Sequence, residues 1–257
     1  MRKDKPLLLV SNDDGVNAKG IHELVKVLRS IGNVIVVAPD GPRSGSSSAI
    51  TSANPLSFNL VKQEDGLSVY KCSGTPVDCI KLALHTIVPR KPDIVIGGIN
   101  HGDNSSINVH YSGTMGLVIE GCLKGIPSVG FSLCDHGLDA DFSFSLPYID
   151  KIVRVVLLKG LPVGNCLNVN FPEKTKMKGV RICRQTKALW VNEFVEREHP
   201  HGGHYYWMTG DFMDIEQDAE DTDRWALQHD YVAITPVQID VTAYALFEEL
   251  KKWDLNV

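Results

Sequence analysis

Along the N-terminal part of the chain, apolar and polar positions alternate in blocks that predict a strand, a helix and a second strand. Residues 7–10 form a continuous apolar run, which is typical of a strand buried on both faces. In residues 21–28 the apolar positions recur with helical spacing, and Gly32 follows as a stop signal. Residues 34–38 form the next apolar run. This order of blocks indicates that the two strands pair in parallel.

The alternation continues through the middle of the chain. Apolar spacing predicts helices over residues 76–87 and 112–124, and strands over residues 94–96 and 128–132. Thr75 precedes the first of these helices as a hydroxyl N-cap, with proline and aspartate in its first turn. The pattern predicts an α/β fold, namely a three-layer α/β/α, Rossmann-like arrangement in which helices cover both faces of a largely parallel sheet.

The last third of the chain departs from this alternation. Residues 191–209 are rich in aromatic side chains and are interrupted by a proline and by paired glycines, which predicts an extended hairpin. Residues 230–236 predict one more strand, and helical spacing over residues 241–250 predicts a terminal helix. The sequence contains no internal repeat and no linker-like segment, so we expect a single domain over residues 1–257.

Composition and charge exclude two classes of binding partner, namely polymeric nucleic acids and membranes. The formal charge is −5 with no basic block, so the electrostatic footprint of a protein that binds polymeric DNA or RNA is missing. No apolar run approaches the roughly 18–20 residues of a membrane span, and the first residues show no cleavage site. The 6 cysteines form no CxxC pair, which favours reduced, buried thiols. We therefore expect a cytoplasmic protein that binds neither polymeric nucleic acid nor a membrane.

Polar side chains that can bind a cation follow several of the predicted strands. They are Asn12, Asp13 and Asp14 after the first strand, Ser44 after the second, and Asn100 and Asn104 after the strand at residues 94–96. Ligands of a parallel sheet bind beyond the carboxyl ends of its strands, where these residues lie. Adjacent carboxylates repel unless a cation intervenes, and an all-oxygen set suits Mg²⁺ or Mn²⁺. Each residue taken alone is equally typical of an ordinary turn, so only the set points to a metal.

A second group of residues lies at a predicted helix start. Ser112, Gly113 and Thr114 offer backbone N–H groups, two hydroxyls and the positive end of the helix dipole, which together suit an anion. Taken alone, these residues are explained equally well as an ordinary helix cap. A cation site and an anion site at one edge of the sheet suggest a phosphate ester held between them, as metal-assisted phosphoryl hydrolysis requires.

Three other protein classes have a similar arrangement of alternating strands and helices, but their sequence motifs are missing from this chain. A dinucleotide-binding fold needs G-x-G-x-x-G after the first strand, where this chain has carboxylates. A phospho-accepting receiver domain needs an aspartate nucleophile where this chain has Asn100. A serine hydrolase needs G-x-S-x-G, and neither Ser44 nor Ser112 has that glycine spacing.

A series of short sequence blocks runs along nearly the whole chain. They include Ser11-Asn12-Asp13-Asp14-Gly15, Ala38-Pro39-Asp40, Arg43-Ser44-Gly45, Gly74-Thr75-Pro76-Val77-Asp78-Cys79, Gly98-Ile99-Asn100, Asn104, Tyr111-Ser112-Gly113-Thr114, Leu167-Asn168-Val169-Asn170 and Tyr231-Val232-Ala233-Ile234-Thr235-Pro236. In this order the blocks resemble the stationary-phase survival protein SurE family, which are metal-dependent 5′/3′-nucleotidases. Asp-Asp-Gly alone carries little weight, whereas the ordered blocks are specific.

The resemblance implies a phosphatase that acts on nucleoside monophosphates with one divalent ion, Mg²⁺ or Mn²⁺, in each subunit. The residues that match the family's metal ligands are Asp13, Asp14, Ser44 and Asn100, and those that match its substrate-binding residues are Asn12, Asn104, Ser112, Gly113 and Thr114. The resemblance also implies a homodimer or tetramer formed by exchange of a C-terminal arm, with residues 185–235 as the approximate oligomerisation hairpin. Small departures, Gly41-Pro42 and Met115-Gly116, leave every one of these residues in place.

Several alternatives stay open from the sequence. We expect a water molecule to attack the phosphate while Asp13 or Asp14 accepts its proton, and a covalent aspartyl phosphate is the alternative route. A metal-dependent nucleotide sensor without turnover is the alternative function. Trp190 and the aromatic residues at 205–207 could stack a nucleobase or, more in keeping with their enrichment at subunit contacts, pack an interface. The histidines at 199–204 favour an exposed hairpin tip over a second metal site.

Overall fold

The computed structural model describes residues 5–137, 139–173 and 176–255. Residues 1–4, which carry part of the prediction that the chain has no leader segment, lie outside the described residues. The strands, in chain order, are β1 (Leu7–Ser11), β2 (Asn33–Pro39), β3 (Phe58–Glu64), β4 (Leu67–Cys72), β5 (Ile94–His101), β6 (Ser128–Leu133), β7 (Asn165–Phe171), β8 (Gly179–Ile182), β9 (Ala188–Val191), β10 (Phe194–Glu198), β11 (His204–Met208), β12 (Asp211–Asp214) and β13 (Tyr231–Gln238).

A nine-stranded sheet in the order β3-β4-β2-β1-β5-β6-β7-β13-β8 runs through the molecule. In this spatial order, every neighbouring pair from β4 through β2, β1, β5 and β6 to β7 is parallel. Only two pairs in the sheet are antiparallel, namely β3 with β4 and β7 with β13. The sheet is therefore largely parallel, as predicted. Strand β1 lies between β2 and the central strand β5, so the residues that follow β1 emerge near the middle of the carboxyl edge.

Helices cover both faces of this sheet. In chain order they are α1 (Lys19–Leu28), α2 (Pro76–Leu82), α3 (Gly113–Leu123), α4 (Leu146–Lys159), α5 (Asp223–Gln228) and α6 (Tyr244–Leu250). Alternate residues of a strand point to opposite faces, so Leu8 packs with α1 and α4, whereas Leu9 packs with α2 and α3. The two apolar clusters confirm the predicted three-layer α/β/α architecture.

The predicted hairpin is present and stands apart from the main sheet. Strands β10 and β11 pair in antiparallel fashion on either side of a turn that contains Gly202 and Gly203. A second small sheet, formed by β9 and β12, lies at the base of this hairpin.

Several boundaries differ from the sequence prediction. The helix predicted over residues 76–87 is an α-helix only to Leu82 and continues as a π-helical turn over Ala83–Ile87. The strand predicted over residues 94–96 extends to His101, so Asn100 lies within β5 rather than after it. The terminal helix begins at Tyr244, not at residue 241, and before it Asp240 accepts the N–H of Thr242 in a turn.

Two further findings concern the whole described chain. All six cysteines are free and five of them are buried, as predicted. Among the described residues, no helix combines the length and the apolar composition that crossing a bilayer requires.

Candidate active site

Asp13 lies at the centre of the candidate site, directly after β1, and is almost completely buried. The hydroxyl of Thr114 donates a hydrogen bond to Asp13 Oδ1 at 2.7 Å, so the first turn of α3 contacts this carboxylate. A Cβ atom added to Gly113 would lie 2.9 Å from Asp13 Oδ2, so only glycine allows α3 to approach this closely. Burial raises the pKa of Asp13 to about 6, against the opposing effect of the Thr114 hydrogen bond.

Asp14 faces a different set of neighbours. The backbone N–H of His101 donates to Asp14 Oδ2 at 3.2 Å. Burial raises the pKa of Asp14, while that hydrogen bond and the charges of His101 and His136 oppose the rise. The imidazole of His136 lies directly against Gly102, where an added Cβ would be 2.2 Å from the ring. Neither histidine is predicted from the sequence.

Asn100 is buried at the carboxyl end of β5, and the amide of its side chain has a fixed orientation. Its Nδ2 atom donates to the carbonyl oxygens of His101 at 3.2 Å and Gly102 at 2.8 Å. Since both amide hydrogens point to backbone carbonyls, Oδ1 is the atom of this side chain that can bind a cation.

Ser44 lies in an exposed loop that is attached to the rest of the site at several points. The N–H of Arg43 donates to the carbonyl oxygen of Asp13 at 2.7 Å, which places Ser44 next in the chain to a residue bonded to Asp13. Further along the loop, the N–H of Ser47 donates to the carbonyl of Tyr111 at 3.1 Å. The N–H of Thr51 reaches both carboxylate oxygens of Asp78 at 3.1 Å.

Asp78 also caps α2, so one carboxylate holds both the helix start and the Ser44 loop. Its carboxylate accepts the N–H of Thr75, whose own hydroxyl caps α2 in return. Burial raises the pKa of Asp78, but the hydrogen bonds from Thr51 and Thr75 outweigh burial and hold the pKa below its usual value.

The predicted anion-binding residues are found at the N-terminus of α3, where part of their bonding capacity is already used. Ser112 is the N-cap of α3, and its hydroxyl accepts the N–H of Met115 at 2.9 Å. The hydroxyl of Thr114 contacts Asp13, as described above. Gly113 lies between them with its backbone against the site. The helix N-terminus therefore faces the Asp13 carboxylate, and its dipole favours negative charge there.

Asn104 is held by a network of buried polar side chains. Its backbone N–H donates to Asn170 Oδ1 at 2.8 Å, its carbonyl accepts from Asn168 at 2.7 Å, and its side-chain amide donates to Ser132 at 2.8 Å. Asn12 is fully buried and donates to the carbonyl of Gly15 at 3.0 Å, so it shapes the turn that presents Asp13. Both residues lie at the carboxyl edge of the sheet, as predicted.

The chemistry of this set fits a divalent cation. Burial raises the pKa values of the two adjacent aspartates, so a bound cation would favour their ionised forms. Among the described residues, Asn12 Oδ1 and Ser46 Oγ are buried oxygen atoms without a hydrogen-bond partner. In the described residues no group of three histidine, cysteine or acidic side chains converges on one point, so a cation here would need serine and asparagine oxygens beside the two aspartates. Oxygen ligands from aspartate, serine and asparagine are those that Mg²⁺ and Mn²⁺ prefer.

Comparison with known proteins places this geometry in a family. A family model described as "Survival protein SurE" matches residues 8–192. The chain belongs to the SurE family.

Relatives in the SurE family match the chain over its whole length. A protein of Phocaeicola vulgatus named 5′-nucleotidase SurE is 65% identical over 100% of both chains, and one of Bacteroides thetaiotaomicron with the same name is 61% identical over 97% of this chain and 96% of its own. The crystal structure of a SurE protein from Aquifex aeolicus superposes with a TM-score of 0.83 at 34% identity, covering 96% of this chain and 98% of that one.

Proposed function

We propose that the chain is a divalent-metal-dependent phosphomonoesterase that hydrolyses nucleoside 5′-monophosphates, and also 3′-monophosphates, to nucleoside and inorganic phosphate. One observation carries the proposal, namely that the buried Asp13 contacts the N-terminus of α3 while the adjacent, half-buried Asp14 contacts the end of β5, and burial raises the pKa of both. Full-length relatives that bear the name 5′-nucleotidase support it.

In this proposal Asp13, Asp14, Ser44 and Asn100 hold one Mg²⁺ or Mn²⁺ ion in each subunit. The bound ion supplies positive charge to the phosphate and lowers the pKa of water. One of the two aspartates accepts the proton of the attacking water, and Thr114 fixes the position of Asp13. The N-terminus of α3 and Asn104 hold the phosphate, with the Asn104 loop fixed by Ser132 and β7.

The direct test is phosphate release from 5′- and 3′-nucleoside monophosphates and an aryl phosphate, measured with Mg²⁺, Mn²⁺ or excess chelator. We expect release that depends on the metal and is lost in Asp14→Asn while that variant stays folded. Nucleotide binding without release in any condition would instead favour the nucleotide sensor. Failure of solvent oxygen to enter phosphate in a single turnover would favour the aspartyl phosphate route.

We also propose a homodimer or tetramer, with residues 185–235 supplying the exchanged hairpin. Tyr206 and Trp207 of β11 are 59% and 63% exposed, and α6 has no buried residue at all. A seven-residue helix is too short to be stable alone in water, so packing by another chain is needed to hold it. The free cysteines are in keeping with a reducing compartment, and we propose the cytoplasm as the location.

A further inference from the structure

Tyr111 differs from the other exposed aromatic residues of the described chain in its position. It is 57% exposed and directly precedes Ser112, the N-cap of α3. The others lie on an edge strand, on the hairpin or in the C-terminal segment, and they are Phe58, Phe194, Tyr205, Tyr206, Trp207, Tyr244, Phe247 and Trp253. Tyr111 alone among them borders the proposed phosphate site.

The backbone of Tyr111 is fixed on both sides. Its N–H donates to the carbonyl of Asn108 at 3.0 Å, and its carbonyl accepts the N–H of Ser47 at 3.1 Å. The hydroxyl of Ser47 also donates to the carbonyl of His110 at 2.6 Å. The exposed ring is therefore attached to a backbone segment that these hydrogen bonds hold in place, between the Ser44 loop and the start of α3.

Trp190, the other aromatic candidate near this region, is already engaged. Its indole N–H donates to Asn108 Oδ1 at 3.1 Å, and its ring packs edge-on against Phe212 at 5.4 Å. It holds the β9–β12 sheet against the segment that leads to Tyr111, and its ring is committed to this packing.

We propose that Tyr111 is the stacking platform for the nucleobase of the substrate, an inference that rests on the proposed nucleotidase function. A phosphate held at the N-terminus of α3 leaves the nucleoside outside the buried site, at the surface where Tyr111 is exposed. Every base has an aromatic face, so a tyrosine ring accepts purines and pyrimidines alike and selects against phosphate esters that carry no base.

The test compares one substrate that has a base with one that lacks it. Metal-loaded wild type, Tyr111→Ala and Tyr111→Phe are assayed with adenosine 5′-monophosphate and with ribose 5-phosphate. We expect Tyr111→Ala to lower kcat/KM for the nucleotide about 5- to 100-fold, mainly through KM, and to leave ribose 5-phosphate unchanged. Tyr111→Phe keeps the ring and should behave as wild type. Phe58→Ala, at an exposed ring on the edge strand β3, is the matched control.

Two results would overturn the stacking role. An equal loss with both substrates would show that Tyr111 supports the fold of the site, and an unchanged kcat/KM for the nucleotide would show that the base lies elsewhere. If wild type releases no phosphate from either ester, the proposed nucleotidase function itself fails. In that case calorimetric binding of the same two compounds decides the stacking role, since only the nucleotide should bind more weakly to Tyr111→Ala.

Discussion

Asp13 carries an electrostatic cost in the folded chain when no metal is bound. Its pKa is raised to about 6 in the folded chain by burial, so the folded state binds a proton more tightly than the unfolded state does. Stability linked to this group is therefore present below about pH 4, falls as the pH rises to about 6, and stays low above that.

The raised pKa of Asp13 leads to a first prediction, which concerns the stability of the metal-free protein. Asp13→Asn removes the buried charge, so the metal-free variant should be more stable than metal-free wild type at pH 7, by up to about 3 kcal/mol. Urea denaturation in chelator between pH 4 and 7 measures the difference, with the exposed Asp65→Asn as control. Equal stability of Asp13→Asn and wild type at every pH would contradict the raised pKa. Addition of Mn²⁺ should stabilise wild type but not the variant.

The hydrogen bond from Thr114 to Asp13 leads to a second prediction about a single residue, which concerns the affinity for the metal ion. Thr114→Val keeps the shape of the side chain but removes the hydroxyl that donates to Asp13, an interaction to a charged group of about 1.5–3 kcal/mol. We expect the affinity for Mn²⁺, measured by calorimetry, to fall at least about tenfold. Thr114→Ser retains the donor and should bind the ion as wild type does. Loss of affinity in both variants would mean that the methyl group, not the hydroxyl, matters.

At the scale of elements, the packing of the Ser44 loop on α3 depends on one glycine. A Cβ atom added to Gly116 would lie 2.1 Å from the carbonyl oxygen of Ser47. Alanine usually stabilises a helix interior relative to glycine by roughly 1 kcal/mol, but here the clash is with backbone and should outweigh that gain.

Gly116→Ala should therefore displace the loop and reduce metal-dependent phosphate release at least about tenfold, because Ser44 and Asp13 lose their alignment. Gly41→Ala is the matched control, since a Cβ atom there meets nothing within 4 Å. An active Gly116→Ala enzyme with wild-type metal affinity would show that the position of this loop is not critical.

The position of the two aspartates was predictable from the sequence, whereas contacts between distant loops and the register of an exposed strand were not. Asp13 and Asp14 follow a buried strand, so local pattern alone places them at the carboxyl edge of the sheet. The contact of His136 with Gly102 joins two loops far apart in the chain and depends on a glycine with a φ of +94°, for which the sequence offers no signal. Strand β3 is exposed along its whole length and lacks any alternating pattern, so its register with β4 could not be read.

At the scale of the whole molecule, the apolar surface of the hairpin predicts association between chains. The double variant Tyr206→Ser, Trp207→Ser removes the two most exposed rings of β11 and should shift the mass measured by light scattering toward that of one chain. Phe58→Ser, on the edge strand β3, serves as the control and should leave the mass unchanged. A wild type that is monomeric at micromolar concentration would contradict the proposed assembly.

The proposed activity of the whole molecule depends on one ion held by Asp13, Asp14, Ser44 and Asn100. The most direct measurement is the rate of phosphate release from a nucleoside 5′-monophosphate as Mn²⁺ is added stepwise to metal-free protein at a concentration far above the dissociation constant. We predict that the rate rises linearly and reaches its plateau at one equivalent per chain, and that Asp14→Asn stays inactive throughout. Full activity in excess chelator, or a plateau only at two equivalents, would contradict the account.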